Sequence, residues 1–283
     1  MKSRKIRDSK LWKRFVNHKV GVVSLVIVAI LVLMAIFAPL IASYDPNAIN
    51  PAFLAPPSAQ HWLGTDAVGR DVFSRLLYAT RVSLSVGILA TLITTSIGIV
   101  LGLISGYFGG VADMIIMRIT DMVMSFPYML LVLVAAAVFK PGLINVILIL
   151  GFLGWPGVAR IVRGNVLSIR ESGFVKSSQV AGMSRKYILF SEILPNAIAP
   201  VLVFASSMVS MSILDEAALS FLGMGVQPPT ASLGNMLGDA QSLTVLTNQP
   251  WLWVPPGVVI VLLVVAISFI GDALQDGFNP VNK

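Results

Sequence analysis

VGVVSLVIVAILVLMAIFAPLIAS, residues 20–43, is a run without a single charged side chain. A helix needs about 20 apolar residues to cross the hydrocarbon core of a bilayer, so this run is long enough to span it. A secretory signal peptide would have a shorter apolar region of roughly 7–15 residues, followed by a small-residue cleavage site. No such site follows here. We therefore interpret residues 20–43 as a retained transmembrane helix.

Five more apolar segments follow along the chain. They cover approximately residues 82–107, 115–139, 142–159, 195–222 and 251–270. Of the 283 residues, 56% are hydrophobic and only 12% are charged, whereas about 25% are charged in an average soluble domain. In lipid every backbone polar group must be satisfied within the segment, which favours helices. The sequence predicts an all-α membrane protein with six transmembrane helices.

The basic residues are distributed unevenly between the two sides of these helices. If the amino terminus is cytoplasmic, 16 Lys and Arg residues fall on the cytoplasmic side and four on the outside. This asymmetry agrees with the positive-inside rule and places both termini in the cytoplasm. The predicted divisions are a basic segment 1–19, a first helix 20–43, an external loop 44–81, a five-helix core 82–271 with a cytoplasmic loop at 160–194, and a tail 272–283.

The predicted external loop ends in HWLGTDAVGRDVFSRLL, residues 61–77, which is rich in acids and bases. Asp66 precedes Arg70 by four residues, and Asp71 precedes Arg75 by four. On a helix, residues four apart lie on one face and can form ion pairs. We interpret the stretch as an ion-paired external scaffold. A catalytic site is less well supported, because the two histidines of the chain are predicted on opposite sides of the membrane.

The longest predicted cytoplasmic loop contains GFVKSSQVAGMSRKYILFSEILPNAIAP, residues 173–200. Phe174, Ser178 and Ala181 recur at helical spacing, with Val175 beside them, and predict a short helix with one apolar face. Gly182 permits a turn that a side chain would resist, and a second short helix is expected from about Ser184. From the residues alone, the element is either a docking site for a partner or a packed loop.

This segment resembles the EAA loop of ABC transporter permeases, in which Glu-Ala-Ala, three residues and Gly are followed by Ile-x-Leu-Pro. Gly182 and Ile193-Leu194-Pro195 match that pattern, while Lys176-Ser177-Ser178 replaces Glu-Ala-Ala. The chain as a whole is similar to the second permease subunit of dipeptide and oligopeptide importers. The strings WLGTDAVGRDVFSRLLYATRVSL, EAALSFLGMGVQPPTASLGNML and GDALQD carry that similarity.

The resemblance implies a type I ABC importer permease fold in the inner membrane of a bacterium, with peptide as substrate. It implies as partners a sister permease in a heterodimer, two ATP-binding subunits and an extracytoplasmic solute-binding protein. The chain lacks the Gly-x-x-x-x-Gly-Lys-[Ser/Thr] phosphate cradle, so ATP hydrolysis is expected in separate subunits, and we expect no cofactor, metal or nucleic acid. The residues expected to couple to the ATPases are Val175, Lys176, Ser177, Ser178, Gln179, Ala181, Gly182, Met183 and Ser184.

Two adjacent acids, Asp215 and Glu216, fall in the outer part of the fifth predicted helix. Charged groups in membrane helices are costly and usually face a cavity or a partner. Together with Met208 and Met211 they are candidates for the pathway or its gate. The alternative interpretation, which we favour, is a structural pair with an arginine of the external loop or with the partner permease.

Two other function classes are weaker. An intramembrane aspartyl protease would need Asp272 close to Asp121 or Asp215, yet these residues are predicted at different depths. A secondary carrier would commonly show inverted repeats and interrupted helices, which the sequence does not reveal, and it would leave the Gly182 element without a purpose. Within the transporter class, a related solute such as a metal chelate remains an alternative to peptide.

Overall fold

The computed structural model describes residue 16 and residues 18–278, and within this part of the chain the regular elements are all helical. They are α1 (Lys19–Ile36), α2 (Ala38–Ile41), α3 (Val72–Phe108), α4 (Gly110–Met124), α5 (Tyr128–Val138), α6 (Leu143–Leu153), α7 (Trp155–Arg170), α8 (Gly173–Val180), α9 (Arg185–Tyr187), α10 (Leu194–Phe221), α11 (Leu233–Leu237), α12 (Leu243–Asn248) and α13 (Pro250–Phe278). A π-helical segment, Ile188–Ile193, joins α9 to α10. Most of the predicted basic segment 1–19 and the last five residues of the tail lie outside the described residues.

Five stretches are long and apolar enough to cross a membrane. They are Lys19–Ile36, Val72–Phe108, Leu143–Arg170, Pro200–Phe221 and Pro250–Gly277. The pair α4–α5 makes a sixth if it is counted as one span. The predicted all-α membrane fold is therefore confirmed.

The third predicted segment, 115–139, is not a continuous helix. α4 and α5 meet at an angle of 84° across a short break. Pro127 lies in this break and precedes the first residue of α5. Proline has no N–H to continue a helix, and it disfavours helical backbone in the residue before it. The proline thus explains why an uninterrupted apolar run folds as two helices.

Two helices extend beyond the apolar segments that predicted them. α3 begins at Val72 rather than near residue 82, because Asp71 caps it by accepting a hydrogen bond from the Ser74 N–H at 2.7 Å. α7 continues to Arg170, so the first part of the predicted cytoplasmic loop 160–194 is helical, while the point at which α7 leaves the membrane stays a prediction. Arg160 pairs with Asp121 of α4 at 2.7 Å, and such pairing lets the helix carry charged residues. Only residues 171–193 connect α7 to α10.

The packing of α3 against α7 organises the bundle. Three glycines four residues apart on α3 face three valines on α7: Gly98, Gly102 and Gly106 face Val158, Val162 and Val166. A methyl group at Gly102 would lie 2.6 Å from the Val162 Cβ, closer than real Cβ atoms approach. Small residues of this kind let membrane helices come into backbone contact. α3 also packs against α6 and α10, which makes it the central helix of the structure.

Most loops, together with the outermost turns of some helices, lie at the two ends of the bundle. We call one the loop end; it comprises residues 42–71 and 222–249. The other is the basic end and comprises residues 109–113 and 163–193, where α7 ends and α8 and α9 lie. That the basic end is cytoplasmic stays a prediction from the charge distribution.

Candidate functional site

The element predicted from residues 173–194 forms as two short helices around a glycine turn. α8 ends at Val180, and Gly182 follows with a φ of +74°, a backbone conformation that L side chains rarely adopt. The Ser184 hydroxyl then accepts a hydrogen bond from the Tyr187 N–H and caps α9. Because only glycine adopts this φ without strain, Gly182 fixes the angle between the two helices.

Val175 anchors α8 to the rest of the chain. Its side chain is fully buried and belongs to a cluster with Ile188, Ile193 and three valines of α7. The sequence predicted an apolar face formed by Phe174, Ser178 and Ala181, with Val175 beside it. In the structure Phe174 is 49% exposed, and Val175 is the residue of α8 that packs inward. Val175 therefore holds the helix in place against the core.

The outward side of the element carries an unusual number of large apolar side chains. They are Phe174, Val180, Met183, Tyr187 and Phe190, and all are about half exposed or more. Neighbouring exposed apolar residues commonly mark interaction sites. Ser177, Gln179, Ala181 and Ser184 are also exposed beside them. This arrangement favours the docking interpretation over the packed loop.

Lys176, which replaces the glutamate of the EAA pattern, is paired within the chain. Its ammonium nitrogen lies 3.0 Å from the carboxylate of Glu171. The hydrogen bond and charge of Lys176 lower the pKa of Glu171. Ser178, two residues further on, donates a hydrogen bond to the carboxylate of Glu192. Lys176 and Ser178 thus connect α8 to Glu171 at the end of α7 and to Glu192 in the π-helical segment.

Asp66 organises the tight turn at the loop end. Its carboxylate accepts hydrogen bonds from the N–H groups of Val68 and Arg70, and it pairs with the Arg70 side chain at 2.7 Å. The Arg75 guanidinium lies 3.6 Å from the same carboxylate. Gly69, with a φ of +83°, completes the turn against the carbonyl of Asn50. The predicted Asp66–Arg70 pair is present, although it lies in a turn and not on a helix.

The predicted pair between Asp71 and Arg75 is wrong. Asp71 is buried and accepts from the Ser74 N–H, while its other oxygen lies 2.9 Å from Nδ1 of His61. Arg75 donates instead to the carbonyl oxygens of Pro46 and Pro229. A capping aspartate must point its side chain back at the first turn, so it cannot also reach the residue four positions ahead. Buried contacts of this kind support the scaffold interpretation.

A polar cavity of roughly 80 Å³ lies beneath this turn. It is lined by Asp66, Arg70, Arg75, Asn235 and Asp239, together with apolar residues. Burial, and then the nearby charge of Asp66, raises the pKa of Asp239. Charged side chains of both signs around this cavity therefore connect residues 66–75 with the segment that follows α10.

Glu216 is completely buried at the centre of a hydroxyl network. Its carboxylate accepts hydrogen bonds from Ser83 of α3 at 2.6 Å and from Ser220 at 2.7 Å. The two serines in turn accept from the N–H groups of Leu233 and Val226. The expectation that Glu216 pairs with an external arginine is wrong. The glutamate joins α3 and α10 to the loop 223–233. No sequence pattern indicated Ser83, which lies 133 residues away from Glu216.

Asp215 points about 100° around α10 from Glu216, towards a different part of the surroundings. Its side chain is partly exposed and lies near Tyr128 at the start of α5. Met211, one turn earlier, is 55% exposed, and Met208 is intermediate. The structure therefore separates the four pathway candidates into three that border an open surface and one, Glu216, that is enclosed.

Comparison with known proteins gives a consistent result along the chain. Residues 98–281 match the family described as binding-protein-dependent transport system inner membrane component. Residues 9–57 match the N-terminal TM domain of oligopeptide transport permease C. Together these two matches include the α8 element and most of the spans.

Individual relatives are similar over nearly their whole length. The dipeptide transport system permease protein DppC of Alkalihalophilus pseudofirmus is 40% identical over 96% of this chain and 89% of its own. The oligopeptide transport system permease protein OppC of Bacillus subtilis is 39% identical over 97% of this chain and 91% of its own. The glutathione transport system permease protein GsiD of Pectobacterium atrosepticum is 38% identical over 97% and 91%.

Solved structures share the fold at much lower identity. An inward-facing conformation of the MetNI methionine ABC transporter matches with a TM-score of 0.58 and 20% identity, covering 72% of this chain and 97% of that one. An amino acid ABC transporter with histidines matches with a TM-score of 0.53 and 16% identity, covering 72% and 92%. Both matches support an importer permease fold.

Proposed function

Because the chain belongs to the binding-protein-dependent transport system inner membrane components, it is a multi-pass permease subunit of an ABC importer, and we propose that it imports di- or oligopeptides. The family is a transport family, which removes the intramembrane protease and the secondary carrier from consideration. The named substrates of the relatives above, which are dipeptides, oligopeptides and glutathione, support a peptide substrate.

One observation carries the proposed mechanism: a rigid, apolar docking element at the basic end of a chain without a nucleotide cradle. α8 is anchored by the buried Val175 and set by the Gly182 turn, and it presents Phe174 and Val180 outward. An ATPase that binds this surface moves α8. Because α8 shares a hydrophobic cluster with α7 and α10, these helices move with it. Packed elements of this kind shift between discrete positions.

The two ends of the bundle indicate where the remaining partners bind. The basic end faces the cytoplasm, where two ATP-binding subunits dock, one on this chain and one on a sister permease. The loop end faces outward and receives a solute-binding protein on the surfaces of residues 44–71 and 223–249. The buried Asp66 turn and the Glu216 network hold those two segments against α3. Substrate passes along the surface that contains Met208, Met211 and Asp215.

Transport by the purified complex tests this proposal. The chain is isolated from its native membrane with its co-purifying subunits, reconstituted into liposomes and supplied with the binding protein and a labelled dipeptide. We expect uptake with ATP and none with a non-hydrolysable ATP analogue. Uptake by the chain alone without ATP contradicts the assignment, and ATP-driven uptake of a metal chelate but no peptide contradicts the substrate class.

A further inference from the structure

α10 carries a stripe of residues that the other helices leave uncovered. Ser207, Met211, Leu214, Asp215 and Ala218 project within a sector of about 100°, since each residue advances roughly 100° around a helix of 3.6 residues per turn. Ser207, Met211 and Leu214 are exposed, and the other two are intermediate. The opposite side of α10, which includes Ile213 and Glu216, is buried against the bundle. We call the uncovered side the acid stripe.

The carboxylate of Asp215 makes contact between the acid stripe and lipid unfavourable. Asp215 lies six residues before the end of α10, about 9 Å along the helix from the loop end. Among the residues that the structure describes, no Lys, Arg or His nitrogen lies within 4.0 Å of its carboxylate. Ionisable residues in membrane helices almost always face a cavity or a partner.

An exposed charged pair joins α4, the helix that precedes α5, to α7. Asp121 of α4 and Arg160 of α7 are 2.7 Å apart, and their side chains are 56% and 50% exposed. The break between α4 and α5 separates Asp121 from Tyr128, and α5 packs against α10, which carries Asp215. All four side chains are at least partly exposed. A water-filled path beside these residues would account for both the exposed charges and the open stripe.

From these placements we propose that Asp215, with Tyr128 beside it, is a binding site for the ammonium group of the transported peptide. Every unblocked peptide carries such a group at its amino terminus, and a carboxylate on an aqueous surface attracts it. Tyr128 adds a hydroxyl and an aromatic ring, and aromatic faces attract cations. The inference rests on the proposed import of peptides and goes beyond it, because it assigns the residue and the ligand group.

The absence of cysteine from the chain makes the site directly testable. Met211→Cys places one thiol a helical turn from Asp215, where side chains are about 5–6 Å apart. The assembled complex in detergent is treated with the cationic reagent MTSET and, separately, with the anionic reagent MTSES. One unit charge at that distance in water changes each local concentration about threefold, in opposite directions. We expect MTSET to react about tenfold faster, relative to the two reagents' rates with a free thiol.

Two further variants test whether the charge of Asp215 causes the difference between the two reaction rates. In Met211→Cys combined with Asp215→Asn, the ratio of rates should fall to about one. Leu219→Cys, at a buried position of the same helix, should react with neither reagent. A Met211→Cys thiol that reacts with neither reagent means that the stripe is covered by lipid or by the sister permease, and this overturns the proposal. A tenfold ratio that survives Asp215→Asn also overturns it, because another group then supplies the charge.

Protection experiments test the ligand class. A dipeptide with a free amino terminus, at millimolar concentration, should slow the MTSET reaction of Met211→Cys, and the N-acetylated dipeptide should not. Equal protection by both peptides, or by neither, contradicts an ammonium site. None of these outcomes affects ATP-driven uptake by the wild-type complex, so the failure of this inference is distinguishable from a failure of the proposed function.

Discussion

Replacing Gly102 with alanine tests the helix contact on which the bundle depends. The new methyl carbon would lie 2.6 Å from the Val162 Cβ and 2.7 Å from the Ala159 carbonyl oxygen. Favourable contacts between carbon atoms are about 3.5–4.0 Å, so α3 and α7 must separate by about 1 Å. Neither neighbour can rotate away, because one is a Cβ and the other is backbone. Overpacking costs about 1–3 kcal/mol, and we take the upper value here.

Alanine also favours the helical conformation over glycine by about 1 kcal/mol, so the expected net loss for Gly102→Ala is about 2 kcal/mol. Gly164→Ala is the matched control. Gly164 lies inside α7 with nothing within 4 Å of the added carbon, so only the helical preference operates. It should stabilise the protein by up to about 1 kcal/mol. The two variants should therefore differ by about 3 kcal/mol.

Unfolding by SDS in detergent micelles, followed by the fluorescence of the five tryptophans, measures this difference. Adding Val162→Ala should restore little of the stability of Gly102→Ala, because the Cβ at 2.6 Å remains. If Gly102→Ala and Gly164→Ala shift the unfolding transition equally, α3 and α7 are not in close contact and the description of the bundle is wrong.

Substitutions at three further residues test the loop end by the same unfolding measurement. Asp71→Ala removes a buried helix cap and should cost about 2 kcal/mol, whereas Asp71→Asn keeps a capping oxygen and should cost less; equal losses would count against the capping role. Glu216→Leu leaves the Ser83 and Ser220 hydroxyls without an acceptor and should cost about 2–4 kcal/mol, more than Glu216→Gln, and the reverse order would contradict the network. Burial raises the pKa of Asp239, so its charged form opposes folding. Asp239→Asn should therefore be more stable than wild type at pH 8, with a gain that fades as the pH falls into the ordinary titration range of aspartate. If the stabilisation by Asp239→Asn grows as the pH falls, the inference that burial raises the pKa of Asp239 is contradicted.

The spanning helices were predictable because lipid imposes a simple requirement. A segment such as residues 20–43 strongly favours a helix once it is in the bilayer, and its length alone predicts a span, although α1 ends at Ile36 and the short α2 begins only at Ala38. The ends of α3 and α7 were not predictable from hydropathy. In the sequence Asp71 resembles a charged loop residue, because its capping role is visible only in the structure. Arg160 likewise resembles a loop residue, because its partner Asp121 is identified only in the structure.

The functional element was predictable in outline and not in orientation. Gly182 and the helical spacing around it located the turn correctly. Which side of α8 packs inward depends on the core formed by α7 and the π-helical segment, and nothing within residues 173–180 specifies that core. The same limit applies to the acids of α10. Adjacent residues on a helix point about 100° apart, so Asp215 and Glu216 meet different surroundings that only the tertiary structure reveals.

The central claim is that the α8 element couples this permease to an ATPase. Two proline variants of the same element test it. Gly182→Pro is incompatible with a φ of +74°, because proline fixes φ near −65°, so it should disrupt the turn. Gly173→Pro is the control, since position 173 begins α8 and proline is well tolerated at the first position of a helix.

The measurement is the amount of ATPase that co-purifies with each variant from its native membrane, relative to the inserted chain. We predict that the Gly173→Pro chain retains the ATPase subunits and that the Gly182→Pro chain loses them while still inserting with its sister permease. Full retention of the ATPases by Gly182→Pro would contradict the account.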